Sequence, residues 1–332
     1  MQREGFFNMR VTVKSSVRRS GSLLMGLGMV LALLFLAAAD GQAAGGGISE
    51  IRIKYVLYDP GTDQSGTGWN WTASTKTLTI SGAIDGRINF TGEDEIKIRV
   101  DGNGSTNSIG YSDGSLDISG SGTLTINGTM AGISAKNLVI NSATIDVGAS
   151  NEWERAIYVQ ENVDIKGGTL ILRETSRGGV GIFALNGNIN IGGSANVRTA
   201  SPTYSIALCS NKGQITVADE AVVEVASENH SAIYSKNINI SGGTVTARSS
   251  SSNGAVSAEN LNISGGSLTT GDTDASPVNG HVNANLTVSG AGSTVTLNGN
   301  LGSHSILGSK GDLTVTDGTV TITGTIAGTP II

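Results

Sequence analysis

The sequence predicts an all-β fold, a three-sided parallel β-helix of about nine regular coils of 23–27 residues behind an N-terminal cap. Three observations predict it. Short runs of alternating apolar residues recur. In Ala156 to Thr175, AIYVQENVDIKGGTLILRET, the runs are Ile157/Val159, Val163/Ile165 and Leu170/Leu172, each too short for a helix and with the period of a strand. The pattern then repeats at a nearly constant interval. With Ile157 as marker, the series Ile109, Ile133, Ile157, Ile182, Ile206, Ile233, Val256, Val282, Ile306 has spacings of 24, 24, 25, 24, 27, 23, 26 and 24 residues, as in a solenoid. Finally, turn residues such as Asn162 and Gly167-Gly168 separate the runs, so each unit is three strands and three turns. One unit cannot bury its apolar face alone. Stacking at about 4.8 Å per coil closes a continuous core, roughly 43 Å deep for nine coils.

Residues 1–43 stand apart from the repeat. Arg3, Arg10, Lys14, Arg18 and Arg19 form a basic region, Leu23 to Ala39 an apolar one, and Gly41-Gln42-Ala43 or Ala37-Ala38-Ala39 a small-x-small cleavage site. This is the pattern of a secretory signal peptide. The alternative is an uncleaved anchor, for which the apolar run is slightly short. The expected location is therefore secreted or cell-surface, with no membrane association once the signal is removed.

Charge narrows the partners. Residues 1–43 hold five of the 21 Lys/Arg and two of the 27 Asp/Glu, so the remainder carries 16 against 25, a net charge of −9. That disfavours nucleic acid and acidic membranes. A single cysteine, Cys209, excludes an internal disulfide and supplies no metal-ligand cluster.

Residues 44–106 read as the N-terminal cap with the first irregular coils, and 107–332 as the β-helix. Solenoid ends need covering, because a terminal coil exposes apolar side chains and open strand edges. Trp69, Trp71 and Tyr58 supply bulk for a cap; the functional alternative is a sugar-stacking platform. From there the second run recurs from Leu116/Ile118 to Leu313/Val315, and the third from Leu124/Ile126 to Val320/Ile322. The last segment, TGTIAGTPII, reads as a small cap over the final coil, with Pro330 limiting edge pairing.

The GWNW…TLTISG opening, GSGTLTI, AIY…VDIKGGTL and AIYSKNINISGGTVTA together resemble a group of bacterial secreted and cell-surface proteins, the carbohydrate-binding-domain proteins of right-handed parallel β-helix type. The similarity runs from about Gly68 to Ile322. It implies a right-handed, pectate-lyase-like architecture and a polysaccharide or cell-surface glycan as partner.

Three outward features compete for function. Asparagine precedes the second run at Asn137, Asn162, Asn188, Asn237, Asn260 and Asn285, with Ser115, Gln214 and Asp312 in the same place on other coils. Such a corner ladder tolerates left-handed backbone and bonds along the stack, a structural role. Next to the inward marker stand Tyr158, Phe183 and Tyr234, with Ala207 between the last two and Trp153 on the preceding turn. Outward aromatics in register offer faces to sugar rings; cover by a loop or a neighbouring protein is the alternative. Third, Thr244/Thr246, Ser267/Thr269, Thr294/Thr296 and Thr319/Thr321 form a Thr-x-Thr array. That array is either an ice-binding face or simply the strand preference of threonine.

Catalysis has little support. A lyase on this fold needs carboxylates for calcium and a base. Asp272 and Asp274 lie together in GDTDAS and Glu93-Asp94-Glu95 form another cluster; both read first as solvated loops, with calcium binding as the alternative. No nucleophile motif, phosphate loop or metal-ligand spacing appears. The sequence thus points to an exported, non-catalytic protein binding polysaccharide through Tyr158, Phe183, Tyr234 and Trp153, with calcium at Asp272 and Asp274 as the one cofactor it suggests. The alternatives are a structural or adhesive surface protein that meets another protein, and a polysaccharide lyase or glycosidase.

Overall fold

The computed structural model describes residues 47–149, 154–173, 178–200, 204–271, 280–303, 307–323 and 325–331. The chain divides into two units, 1–43 and 44–332. The signal segment, Trp153, Asp272 and Asp274 lie outside the described residues. The second unit is a β-solenoid of about nine turns.

Parallel pairing between coils follows the repeat. The second run forms an unbroken inward file from Leu116 through Leu138, Val163, Ile189, Ile215, Ile238, Leu261 and Leu286 to Leu313. The third runs from Leu124 through Ile145, Leu170, Val197, Val223, Val245, Leu268 and Val295 to Val320. All but the last residue of each file are at most 1 % exposed; Leu313 is 3 % exposed and Val320 only partly buried. This interior holds the fold together, because every buried branched side chain contributes about 1.5–3 kcal/mol of transfer free energy.

The first file departs from the expected series at two places. It reads Ile109, Ile133, Ile157, Ile182, Leu208, Ile233, Val256, Val282, Leu301. Ile206 instead pairs with Val180, and Leu301 takes the place assigned to Ile306, which lies outside the described residues. Ile206 and Leu208 share strand parity, so a slip of two residues leaves every side chain on its own face and alternation cannot distinguish them. Burial does: Leu208 is fully buried and Ile206 is half-buried. On the side of the next coil, the N–H groups of both Ala207 and Leu208 donate to the Ala232 carbonyl at 3.0 and 2.9 Å.

The solenoid starts inside the cap region. Arg87–Gly92, Glu95–Val100 and Asn103–Thr106 form a complete coil, parallel to and in register with the next. Ahead of it, Ile48–Ile53 pairs antiparallel with Val56–Tyr58 and with Arg87–Gly92, and Trp69–Thr72 pairs antiparallel with Gln64–Gly66 and Thr77–Ile80. The tryptophans serve packing. Trp71 is 1 % and Trp69 6 % exposed. An aromatic series runs from Trp71 to Phe90 to Tyr111 with centroids 6.3 and 5.7 Å apart, and Tyr58 meets the edge of Trp69 at 5.0 Å. Trp71 Nε1 donates to the Pro60 carbonyl at 3.0 Å. Neither indole leaves a face open to a sugar.

The asparagine corner forms the expected ladder. Asn137 Oδ1 accepts from the Asn162 backbone N–H at 3.1 Å, Asn162 Oδ1 from Asn188 N–H at 3.0 Å, and Asn188 Oδ1 from Gln214 N–H at 3.0 Å. Further along, Asn260 Nδ2 donates to Asn237 Oδ1 at 3.0 Å, and Asn285 Oδ1 accepts from Lys310 N–H at 2.8 Å. The amides of Asn137, Asn162, Asn188 and Asn285 thus each satisfy a backbone donor that the bend removes from the strand ladder. At the far end Ile326 bridges to Leu301 and Pro330–Ile331 pairs with Leu313 and Thr314, both parallel, so the last segment continues as a partial further turn instead of the expected cap, with Pro330 inside the pairing.

Candidate functional site

The outward neighbours of the first file form one column. Register places Ser134, Tyr158, Phe183, Cys209, Tyr234 and Ser257 on successive coils. The residue between Phe183 and Tyr234 is therefore Cys209, not Ala207, as the two-residue shift of Leu208 requires. Ala207 is fully buried.

Side chains at equivalent outward positions stand above one another, one coil apart. Tyr158 and Phe183 use this to stack, with ring centroids 6.0 Å apart and planes 9° from parallel. Their exposures differ. Tyr158 is half-buried whereas Phe183 is only 9 % exposed. Tyr234, two coils beyond Phe183, is half-buried and meets the His230 ring edge-on at 5.6 Å. The structure thus brings Tyr158 and Phe183 into contact and sets Tyr234 in the same column across Cys209. Trp153, the fourth expected member, lies outside the described residues.

A further residue joins them. Arg155 precedes the marker Ile157 on the same strand, Arg155–Val159, and its guanidinium carbon lies 4.5 Å from the Phe183 ring centroid and 5.3 Å from that of Tyr158. A cation over an aromatic face is attracted by the ring quadrupole. Arg155 forms no salt bridge among the described residues, and its Nε is buried without a hydrogen-bond partner. The signal was present in the sequence as the residue immediately before AIY. A strand-periodic reading passes over it, since it lies outside the apolar run.

Burial pushes the Cys209 thiol up to about 12, against the opposing pull of Arg155. Burial, followed by the influence of Cys209, raises the Tyr234 phenol. Both groups therefore stay neutral at ordinary pH and act through shape and hydrogen bonding. Asp94 is engaged by Lys76 Nζ at 2.6 Å in the cap, and no group of three or more His, Cys, Asp or Glu side chains able to hold a metal occurs among the described residues. The threonine array is in register over four coils, Thr244–Ser267–Thr294–Thr319 and Thr246–Thr269–Thr296–Thr321, on the third strand of each coil.

The column falls within the stretch 74–280, which matches a family model described as carbohydrate-binding domain-containing protein. No curated protein and no solved structure matches the chain.

Proposed function

Because the chain belongs to the carbohydrate-binding domain-containing family, we propose that it binds polysaccharide across the outward face of the first file, without catalysis and after export from the cell. The observation that carries this reading is the Tyr158–Phe183 stack at 6.0 Å with Arg155 over it. Tyr158 and Tyr234 keep part of each ring exposed and act as the sugar-contacting pair. Phe183 backs Tyr158 and holds it in place. Arg155 offers N–H donors and a charge with no salt-bridge partner among the described residues, which suits a sugar hydroxyl and still better a sugar carboxylate. Tyr158 and Tyr234 are three coils apart, roughly 14 Å, so a chain of several sugars engages both and a single sugar only one.

A glycan array, probed with and without calcium, tests the proposal. Binding to one class of polymer, weakened about tenfold or more by Tyr158→Ala or Tyr234→Ala, is the expected result, since each aromatic contact is worth about a kcal/mol or more. Absence of binding to every glycan, or binding indifferent to both substitutions, would overturn it.

A second reading has one observation in its favour. Tyr55, Val56 and Leu57, at 99, 51 and 60 % exposure, stand at the turn and open edge of the first hairpin, as a protein-contacting element of an adhesive surface protein would. Binding of a surface protein lost on Tyr55→Ser/Leu57→Ser, with glycan binding absent, would favour it.

A further inference from the structure

On the neighbouring face, around the asparagine corner, Asp164, Asn190 and Thr216 occupy equivalent outward positions of the second strand on three successive coils. Beside them is a cleft of ≈ 370 Å³, lined also by Lys166, Gly193 and Asp219. The turn that borders it is tightly packed. Gly193 has φ +57°, and a Cβ there would sit 2.1 Å from the Lys166 carbonyl, so this turn has room only for hydrogen. One coil on, Asp219 adopts φ +57° and its Oδ2 accepts from the Gly193 N–H at 2.8 Å, pinning the turn from above. That edge of the cleft is therefore backbone held in a fixed position.

The rim is prearranged too. Asn190 Nδ2 donates to Asp164 Oδ1 at 2.6 Å, which fixes the amide and, among the described residues, leaves its Oδ1 and second N–H unused. The Thr216 hydroxyl and the Lys166 ammonium have no hydrogen-bond or ion-pair partner among the described residues. Donors and acceptors thus alternate around an apolar floor, the arrangement that sugar hydroxyls, each both donor and acceptor, can satisfy. Two carboxylates against one ammonium disfavour an anionic sugar, the reverse of the Arg155 column.

We propose that this cleft is a second glycan site, taking the hydroxyls of a neutral sugar unit, and that the protein therefore holds polysaccharide on two adjacent faces. The proposal rests on the reading that the chain binds polysaccharide. It does not depend on which residues of the aromatic column take part.

Electrophoresis of the full chain through gels containing hydroxyethylcellulose, galactomannan or arabinoxylan, and separately alginate, tests it. Thr216→Trp fills the cleft, and Lys166→Ala removes an exposed donor with no packing to lose. Both should reduce retardation by at least one neutral polymer about tenfold or more, about 1.4 kcal/mol of lost contact, and leave retardation by alginate unchanged. The Tyr158→Ala/Tyr234→Ala protein should do the opposite. Cleft variants retarded by every neutral polymer as strongly as the wild type would overturn the second site, as would a wild-type protein retarded by none of the three. A cleft variant that loses neutral polymer, beside a column variant unaffected on all gels, would support the cleft and sink the column.

Discussion

Tyr158 and Phe183, 25 positions apart in the chain, are adjacent rungs whose rings stack 6.0 Å apart, yet one is half-buried and the other 9 % exposed. Their substitutions should therefore separate binding from stability. Phe183→Ala removes a packed ring and should cost about 3 kcal/mol in urea unfolding. Tyr158→Ala should cost less than half of that while reducing glycan retention more. Equal stability losses for the two would mean that Phe183 is not the backing element.

Leu208 belongs to the interior file and Ile206 does not. Leu208→Ala is expected to destabilise by about 2–5 kcal/mol, and Ile206→Ala by much less, because only the first opens a cavity in a closed core. Cys209 reports on the same register. At 4 % exposure, and with its thiol pushed up to about 12, it should resist a maleimide at neutral pH and react at once in denaturant. Rapid labelling of the native protein would contradict this register.

Asn162 serves a backbone donor, whereas Asn260 bonds another side chain. Removing the first leaves the half-buried Asn188 N–H without its acceptor. Asn162→Ala should cost about 1–3 kcal/mol, and Asn260→Ala at most about 1 kcal/mol. Chemical denaturation of the two variants side by side gives the comparison, and the opposite ranking would refute the assigned roles.

Tyr111 is fully buried beneath the cap, and burial, aided by the charge of Asp94, pushes its phenol from 10.0 up to about 12. A raised folded-state value means that the neutral phenol is favoured by folding. Its contribution is complete below pH 10 and is lost as pH rises from 10 toward about 12. Tyr111→Phe keeps the ring against Phe90 and removes the ionisation, so its alkaline unfolding midpoint, followed by circular dichroism, should move to higher pH. Superimposable curves would exclude Tyr111 as a contributor.

Much of this architecture is legible in the sequence, for a physical reason. A solenoid buries the same kind of side chain at the same place in every coil, so the apolar period is the fold. The files through Leu138 and Leu170 and the amides at Asn137, Asn162 and Asn188 follow from it directly. Where the reading slipped, at Ile206 and Leu208, the cause was a shift of two, which alternation cannot detect because it preserves facing. The candidate sites are less legible. Arg155 lies outside the apolar run and gains meaning only when stacking brings Phe183 over from the next coil. The cleft is invisible in one dimension, since Asp164, Asn190 and Thr216 meet only across coils.

The coil from Ile182 to Leu208 is one residue longer than that from Ile157 to Ile182, yet Phe183 and Cys209 still meet rung to rung. Such tolerance makes each storey of the protein a separately editable unit. Mutation can lengthen a bend or exchange one outward side chain without disturbing the storeys above and below, so a lineage can retune what the wall recognises one rung at a time.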